Sequence, residues 1–225
     1  MAENKHLEQA DQEVVDKAVG FWNAYGKKLS IGIVALVVLV GGYWAYGYFV
    51  QGPQEKKASE EIFMAESYFR KDSFNLALNG NAGTPGFLKV ISKYDGTKTA
   101  NLARLYAGEC YLQLGEFQKA IDNLEKFKSA GAKQVEAKAE GLLGDAYAEL
   151  KKNDEAITHY KKAGTLFPDD QAISSEYLFR GALLSEMSGK NDQAIELYQL
   201  LKDKYPRTDK GFVVDKYLAR LGVVR

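Results

Sequence analysis

The pattern of apolar and polar positions divides the chain into stretches of different period. Residues 29–50, LSIGIVALVVLVGGYWAYGYFV, form an apolar run without a single charge. At about 1.5 Å per residue this run makes a helix of about 33 Å, which matches the roughly 30 Å hydrocarbon core of a bilayer. Ile31, Ile33, Val34, Leu36, Val37, Val38, Leu39 and Val40 each favour insertion by about 0.3 to 0.6 kcal/mol near the helix centre. Aromatics collect at the far end, at Tyr43, Trp44, Tyr46, Tyr48 and Phe49, as in an interfacial belt. The pattern predicts one transmembrane helix over 29–50. Ahead of it, Val14, Val15, Ala18, Val19 and Trp22 share a helical face. The tail, 1–28, is therefore either an amphipathic helix on a membrane surface or a plain extension of the span.

A polar link, 51–56, contains Gly52 and Pro53, and helical periodicity resumes near Lys57. A longer period then appears. Residues 137–170 place Leu143, Gly144, Tyr147, Ala156, Tyr160, Ala163 and Pro168 where a tetratricopeptide repeat has its bulky, small, aromatic, small, aromatic, small and helix-ending proline positions. Small residues allow close helix approach, and the tyrosines fill the space between paired helices. The frame recurs upstream at Gly108, Tyr111, Gly115, Phe117, Ala120 and Leu124, and downstream at Leu178, Ala182, Gly189, Ala194, Tyr198 and Pro206.

The chain thus resembles a tetratricopeptide stack with repeats at about 101–134, 137–170 and 175–208. A degenerate repeat at about 58–98 keeps Ala65, Tyr68, Phe74 and Ala77, with Asn79 to Gly86 as a loop that interrupts its second helix. Residues 210–222 carry Phe212, Val213, Tyr217, Leu218 and Leu221 and are expected to close the stack as a capping helix. The expected fold class is all-α, one transmembrane helix followed by a tetratricopeptide-repeat solenoid with a C-terminal cap over 57–225.

Charge refines the picture. Lys+Arg and Asp+Glu both number 30, so the basic excess that nucleic-acid binding needs is absent. Glu3, Glu8, Asp11, Glu13 and Asp16 make the tail too acidic for the leading part of a cleaved signal peptide, which points to an uncleaved anchor. Lys17, Lys27 and Lys28 precede the span, against Lys56 and Lys57 after it. That bias places the N-terminus in the cytoplasm and the repeats outside. Within the span, Gly41 and Ala45 form a small-x-x-x-small pair that either admits another helix or is merely tolerated in lipid.

Candidate chemistry is sparse. His6 and His159 are the only histidines and Cys110 the only cysteine, with no ligand spacing and no nucleophile context around them. The glycines of Asn79 to Gly86 lack the Lys-Ser/Thr ending of a phosphate-cradling loop. No catalytic residue, cofactor or metal is therefore expected. Binding is expected instead on the first helix of each pair, which lines the groove of such a stack. That face would present Leu105, Glu109, Leu112 and Gln113, then Lys138, Gly141, Asp145 and Glu149, then Phe179, Leu183, Glu186 and Met187. The apolar members either contact extended hydrophobic and basic segments or pack against the neighbouring terminal helices.

The order of tail, span, repeat stack and cap resembles the ancillary SecYEG translocon subunit family of bacterial inner membranes. The resemblance implies a non-enzymatic, single-pass protein with its repeats in the periplasm. It implies translocon subunits, periplasmic chaperones or unfolded clients as partners, with secretory or outer-membrane chains passed from one to the next. The alternative is an envelope scaffold for cell division, secretion or cell-wall synthesis.

Overall fold

The computed structural model describes the backbone of residues 2–223 and the side chains of Lys17 and residues 19–223. Side chains of His6, Val14, Val15 and Ala18, which carry the amphipathic-tail expectation, lie outside the described ones. The chain divides into two compact units, Met1–Pro53 and Gln54–Arg225.

The first unit is one helix, α1 (Ala2–Tyr46), followed by a π-helical turn, Gly47–Gln51. Its apolar run is exposed throughout, with Leu39 at 72% and Ile33 at 55%. Among the described residues this is the stretch long and apolar enough to cross a membrane, with a mean hydropathy of 2.0 over its most apolar window and none of that window buried.

The expected link over 51–56 is helical instead. The Gly52 N–H donates to Gly47 O across the π-turn, and α2 (Gly52–Phe69) starts there. Pro53 lacks an N–H, and its ring would press on the carbonyl four residues back in a regular helix. The wider turn just before it gives the ring room.

In the second unit the helices come in antiparallel pairs: α2 with α3 (Phe74–Asn79) and α4 (Phe87–Lys93), and α5 (Lys98–Gln113) with α6 (Phe117–Leu124). Then follow α7 (Lys133–Glu149) with α8 (Asn153–Leu166), α9 (Gln171–Met187) with α10 (Asn191–Lys204), and α11 (Asp209–Arg220). Two of the first helices, α5 and α9, and the terminal α11 begin at a side-chain cap. Thr97, Asp170 and Thr208 accept from the N–H of Ala100, Ile173 and Gly211, each satisfying one of the free amides of a helix start.

The turn inside each pair repeats atom for atom. A residue with positive φ, Asp72, Gly115, Lys151 or Gly189, ends the first helix. The next N–H then reaches back five residues, Ser73 to Tyr68 O, Glu116 to Tyr111 O, Lys152 to Tyr147 O and Lys190 to Ser185 O. Such a closure satisfies the last carbonyls and fixes the turn angle. The degenerate first pair carries it too, so its register is that of the others.

What departs is its second helix, where the expected loop is a compact antiparallel hairpin that pairs Gly80 with Pro85 and Asn81 with Thr84. Gly80 has φ of 72°, and a Cβ on Gly86 would lie 2.3 Å from Leu78 O. Only glycine fits this reversal.

Two hydrophobic clusters fill the stack. One runs from Ala58 through Phe87, Leu105 and Leu124 to Ala146, and the other from Ile157 through Phe179 and Tyr198 to Leu218. Between them lie small buried residues, Ala156 and Ala163, around Tyr160.

Candidate protein-interaction face

On the first helices, α5, α7 and α9, and on α11 beside them, a row of ion pairs crosses from each helix to the next. Lys138 Nζ on α7 lies 2.7 Å from Glu109 Oε2 on α5. Arg180 on α9 reaches back to Asp145 Oδ1 on α7 at 2.8 Å. Lys210 on α11 reaches Glu176 on α9 at 3.1 Å, and Arg220 clamps Glu186 with two nitrogens, at 2.6 and 2.7 Å.

Arg180 is the centre of the row. Burial works against its charge, but Glu176 and Asp145 outweigh that and hold the guanidinium protonated. Asp145 also accepts from the Tyr160 hydroxyl at 2.7 Å, and burial together with that carboxylate pushes the Tyr160 phenol well above its ordinary range. Tyr177 stacks on Tyr160 with ring centroids 6.3 Å apart. Its ring lies over Gly141, where a Cβ would sit 2.0 Å from Tyr177 Cζ. Burial raises the Tyr177 phenol to about 12. The face is thus polar, tyrosine-rich and internally paired.

Several of the apolar residues expected on this face are buried. Leu105 is 3% exposed and belongs to the first core cluster, where Leu112 packs against it. Phe179 is 8% exposed because the capping helix covers it, with Tyr217 edge-on at 5.0 Å and Lys210 Nζ 4.8 Å above the ring. Leu183 packs on the same cluster. An apolar side chain on a first helix points inward wherever a neighbouring helix can bury it, so packing against a terminal helix is the alternative realised for Phe179.

Of the expected face, Glu109 and Asp145 are engaged in the ion-pair row, Glu149 is exposed, and Met187 is 76% exposed. Lys138 and Glu186 sit in the row as well. Arg180, Glu176, Lys210 and Arg220 escaped the sequence reading. Their signal was nevertheless present, since Asp145 and Arg180 are 35 residues apart and Glu186 and Arg220 are 34 apart, opposite charges one repeat period from each other.

The membrane-packing candidates Gly41 and Ala45 line a shallow apolar depression with Val40, Trp44, Tyr48 and Phe49. Beyond its chain neighbours and its own helix backbone, nothing lies within 4 Å of a Cβ built on Gly41. Among the described residues no group of three or more His, Cys, Asp or Glu could hold a metal ion.

The buried residue of most unusual chemistry is Glu140 on α7. It receives His159 Nδ1 at 2.8 Å and Lys162 Nζ at 2.7 Å, both from α8. Burial pushes its carboxyl up, yet the two nitrogens together hold it below the usual carboxylate range. Cys110 is fully buried, and burial raises its thiol to about 12, so it is a packed side chain and not a nucleophile.

The chain is also similar to a solved structure described as "Crystal structure of MamA protein", at 19% identity and a TM-score of 0.56, over 76% of this chain and 85% of that one. At that identity the likeness concerns the fold. Residues 20–216 match the family described as "Tetratricopeptide repeat-like domain". With the paired helices, the recurring turns and this match over most of its length, the chain belongs to the tetratricopeptide repeat-like domain family.

Proposed function

We propose that this chain is a membrane-anchored protein-interaction module of the bacterial inner membrane. In this reading the N-terminus is cytoplasmic, the span is 29–50 and the repeats are periplasmic. It serves as an accessory subunit of the Sec translocon that helps pass secretory or outer-membrane chains to periplasmic chaperones. The observation that carries the anchor is the exposed, charge-free run of α1 with its terminal aromatics, since an exposed apolar surface of that length needs lipid around it. A repeat stack attached to such a helix is held where it can meet proteins at the membrane.

A second reading, an envelope scaffold for folded partners, is favoured by the ion-pair row. A polar, pre-ordered face with Arg180 and Tyr177 at its centre suits a folded partner better than an apolar client. Affinity purification of the intact protein in mild detergent separates the two. Translocon subunits and chaperones among the main partners support the first, and division or wall-synthesis proteins in their place overturn it. Photo-crosslinkers at Glu149 and Met187 are expected to capture the partner. Adducts only from convex positions such as Lys161 would remove the first-helix face from the reading.

A further inference from the structure

A second surface lies away from the ion-pair row, beside the N-terminal end of α5. The second helix of this pair, α6, has 8 residues where α8 and α10 have 14. The chain leaves it at Leu124 and crosses to α7 through 125–132, with Ala130 and Gly131 at positive φ. The missing turns leave a cleft of about 490 Å³ lined by Gly96, Lys98, Arg104, Lys126, Lys128 and Ala130, among others, within the usual range for ligand sites.

The cleft is held in shape by side chains that do not need a ligand. Asn101 donates to Lys128 O at 2.7 Å and accepts from Lys128 N–H at 2.9 Å, pinning the crossing segment to α5. Glu55 accepts from the Lys98 and Thr99 N–H groups at 2.7 and 2.9 Å, so the α5 N-terminus is already occupied by a carboxylate.

Charge in the cleft is unbalanced. Lys98, Arg104, Lys126 and Lys128 face two carboxylates, Asp95, paired with Arg104 at 2.9 Å, and Glu125, which accepts from the Tyr147 hydroxyl at 2.8 Å and keeps its charge. Lys98, Lys126 and Lys128 make no ion pair among the described residues. We infer that this cleft docks an extended acidic segment of a partner protein, with its carboxylates spaced along Lys98, Lys126 and Lys128. Lys98 stands at the start of α5 and Lys126 and Lys128 on the crossing segment, so an extended segment laid along the cleft can meet all three with successive carboxylates. Their stems and Ala130 give the segment an apolar floor.

The test uses the full chain in phosphatidylcholine nanodiscs and two fluorescein-labelled octapeptides, alternating glutamate–glycine and alternating glutamine–glycine, read by anisotropy. The glutamate peptide is expected to bind with Kd below about 1 mM and the glutamine peptide not to bind. Lys98→Ser/Lys126→Ser/Lys128→Ser changes exposed side chains only and is expected to weaken binding about tenfold, a loss of about 1.4 kcal/mol. A second triple, Lys57→Ser/Lys71→Ser/Lys204→Ser, removes the same charge elsewhere and is expected to leave binding within about twofold of the parent. Equal weakening by both triples, or no preference for glutamate over glutamine, overturns the inference. Loss of peptide binding when phosphatidylglycerol is added to the discs would assign the cleft to lipid headgroups and overturn it as well.

Discussion

Replacing Gly144 by alanine sets two effects of known size against each other. An alanine in a helix interior is favoured over glycine by about 1 kcal/mol. Against that, a Cβ at this position would lie 2.6 Å from Cδ1 and Cε1 of Tyr160, while carbon atoms rest at about 3.5 to 4.0 Å. The ring must therefore retreat by about 1 Å. It has little freedom to do so, because its hydroxyl is bonded to Asp145 at 2.7 Å and its face is stacked beside Tyr177.

Overpacking of this kind costs about 1 to 3 kcal/mol, and the double tether puts the site at the upper end. The net loss is expected to be about 1 to 2 kcal/mol, or about 3 to 6 °C in Tm for a domain of this size. Urea and thermal unfolding of residues 54–225, followed by circular dichroism, measure it. In a Tyr160→Phe background the ring is released from Asp145, and Gly144→Ala should then cost less, a coupling that a double-mutant cycle reads directly. Gly144→Ala that is neutral or stabilising in the parent would refute the packing argument.

Glu140→Gln should lower stability by about 1 to 2 kcal/mol at pH 7. Because the native carboxyl lies below its unfolded value of about 4.3, its contribution is complete above that pH and is lost as pH falls through the native value, so the deficit of the variant should shrink in acid and a constant deficit would exclude the His159–Lys162 linkage. Lys151→Gly, at a turn where φ is 62°, should raise stability by about 0.5 to 1 kcal/mol in the same unfolding assay, as glycine takes that conformation without a Cβ conflict. Cys110 should resist a thiol reagent at pH 8 until denaturant is added, and prompt labelling of the native protein would contradict its burial. The full chain should stay in the membrane pellet after carbonate washing, and its release would refute a spanning α1.

The helix pairs were legible because their determinants are local and repeated. Gly115, Gly189 and the alanines at the crossings recur at one period, and the charge-free run needs only counting. The link over 51–56 misled because glycine and proline together usually break a helix, and the π-turn that accommodates Pro53 has no local signature. Which apolar residues of the face are covered was not legible for a different reason. Helical phase places Leu105 and Phe179 on the right helices but cannot say whether another helix lies over them, and Tyr217, which covers Phe179, is 38 residues further along. Charged partners one repeat apart, such as Asp145 and Arg180, are visible in sequence only once the register is known.

The division of the core into two clusters bears on how the stack comes apart. Large apolar side chains form one cluster on α2 through α7 and another on α8 through α11, and the join between them is polar and aromatic: Glu140 with His159 and Lys162, Tyr147 stacked on His159, and Asp145 with Tyr160 and Arg180. In a solenoid, cooperativity passes only between neighbours, so these side chains decide whether an unfolding front crosses from one cluster to the other. Acid that protonates Glu140 would therefore loosen that join and let α8 through α11 open ahead of α2 through α7. Amide exchange in acid would then show two protection classes divided near residue 152, and a partner that grips α8 through α11 could be loaded or stripped without unravelling α2 through α7.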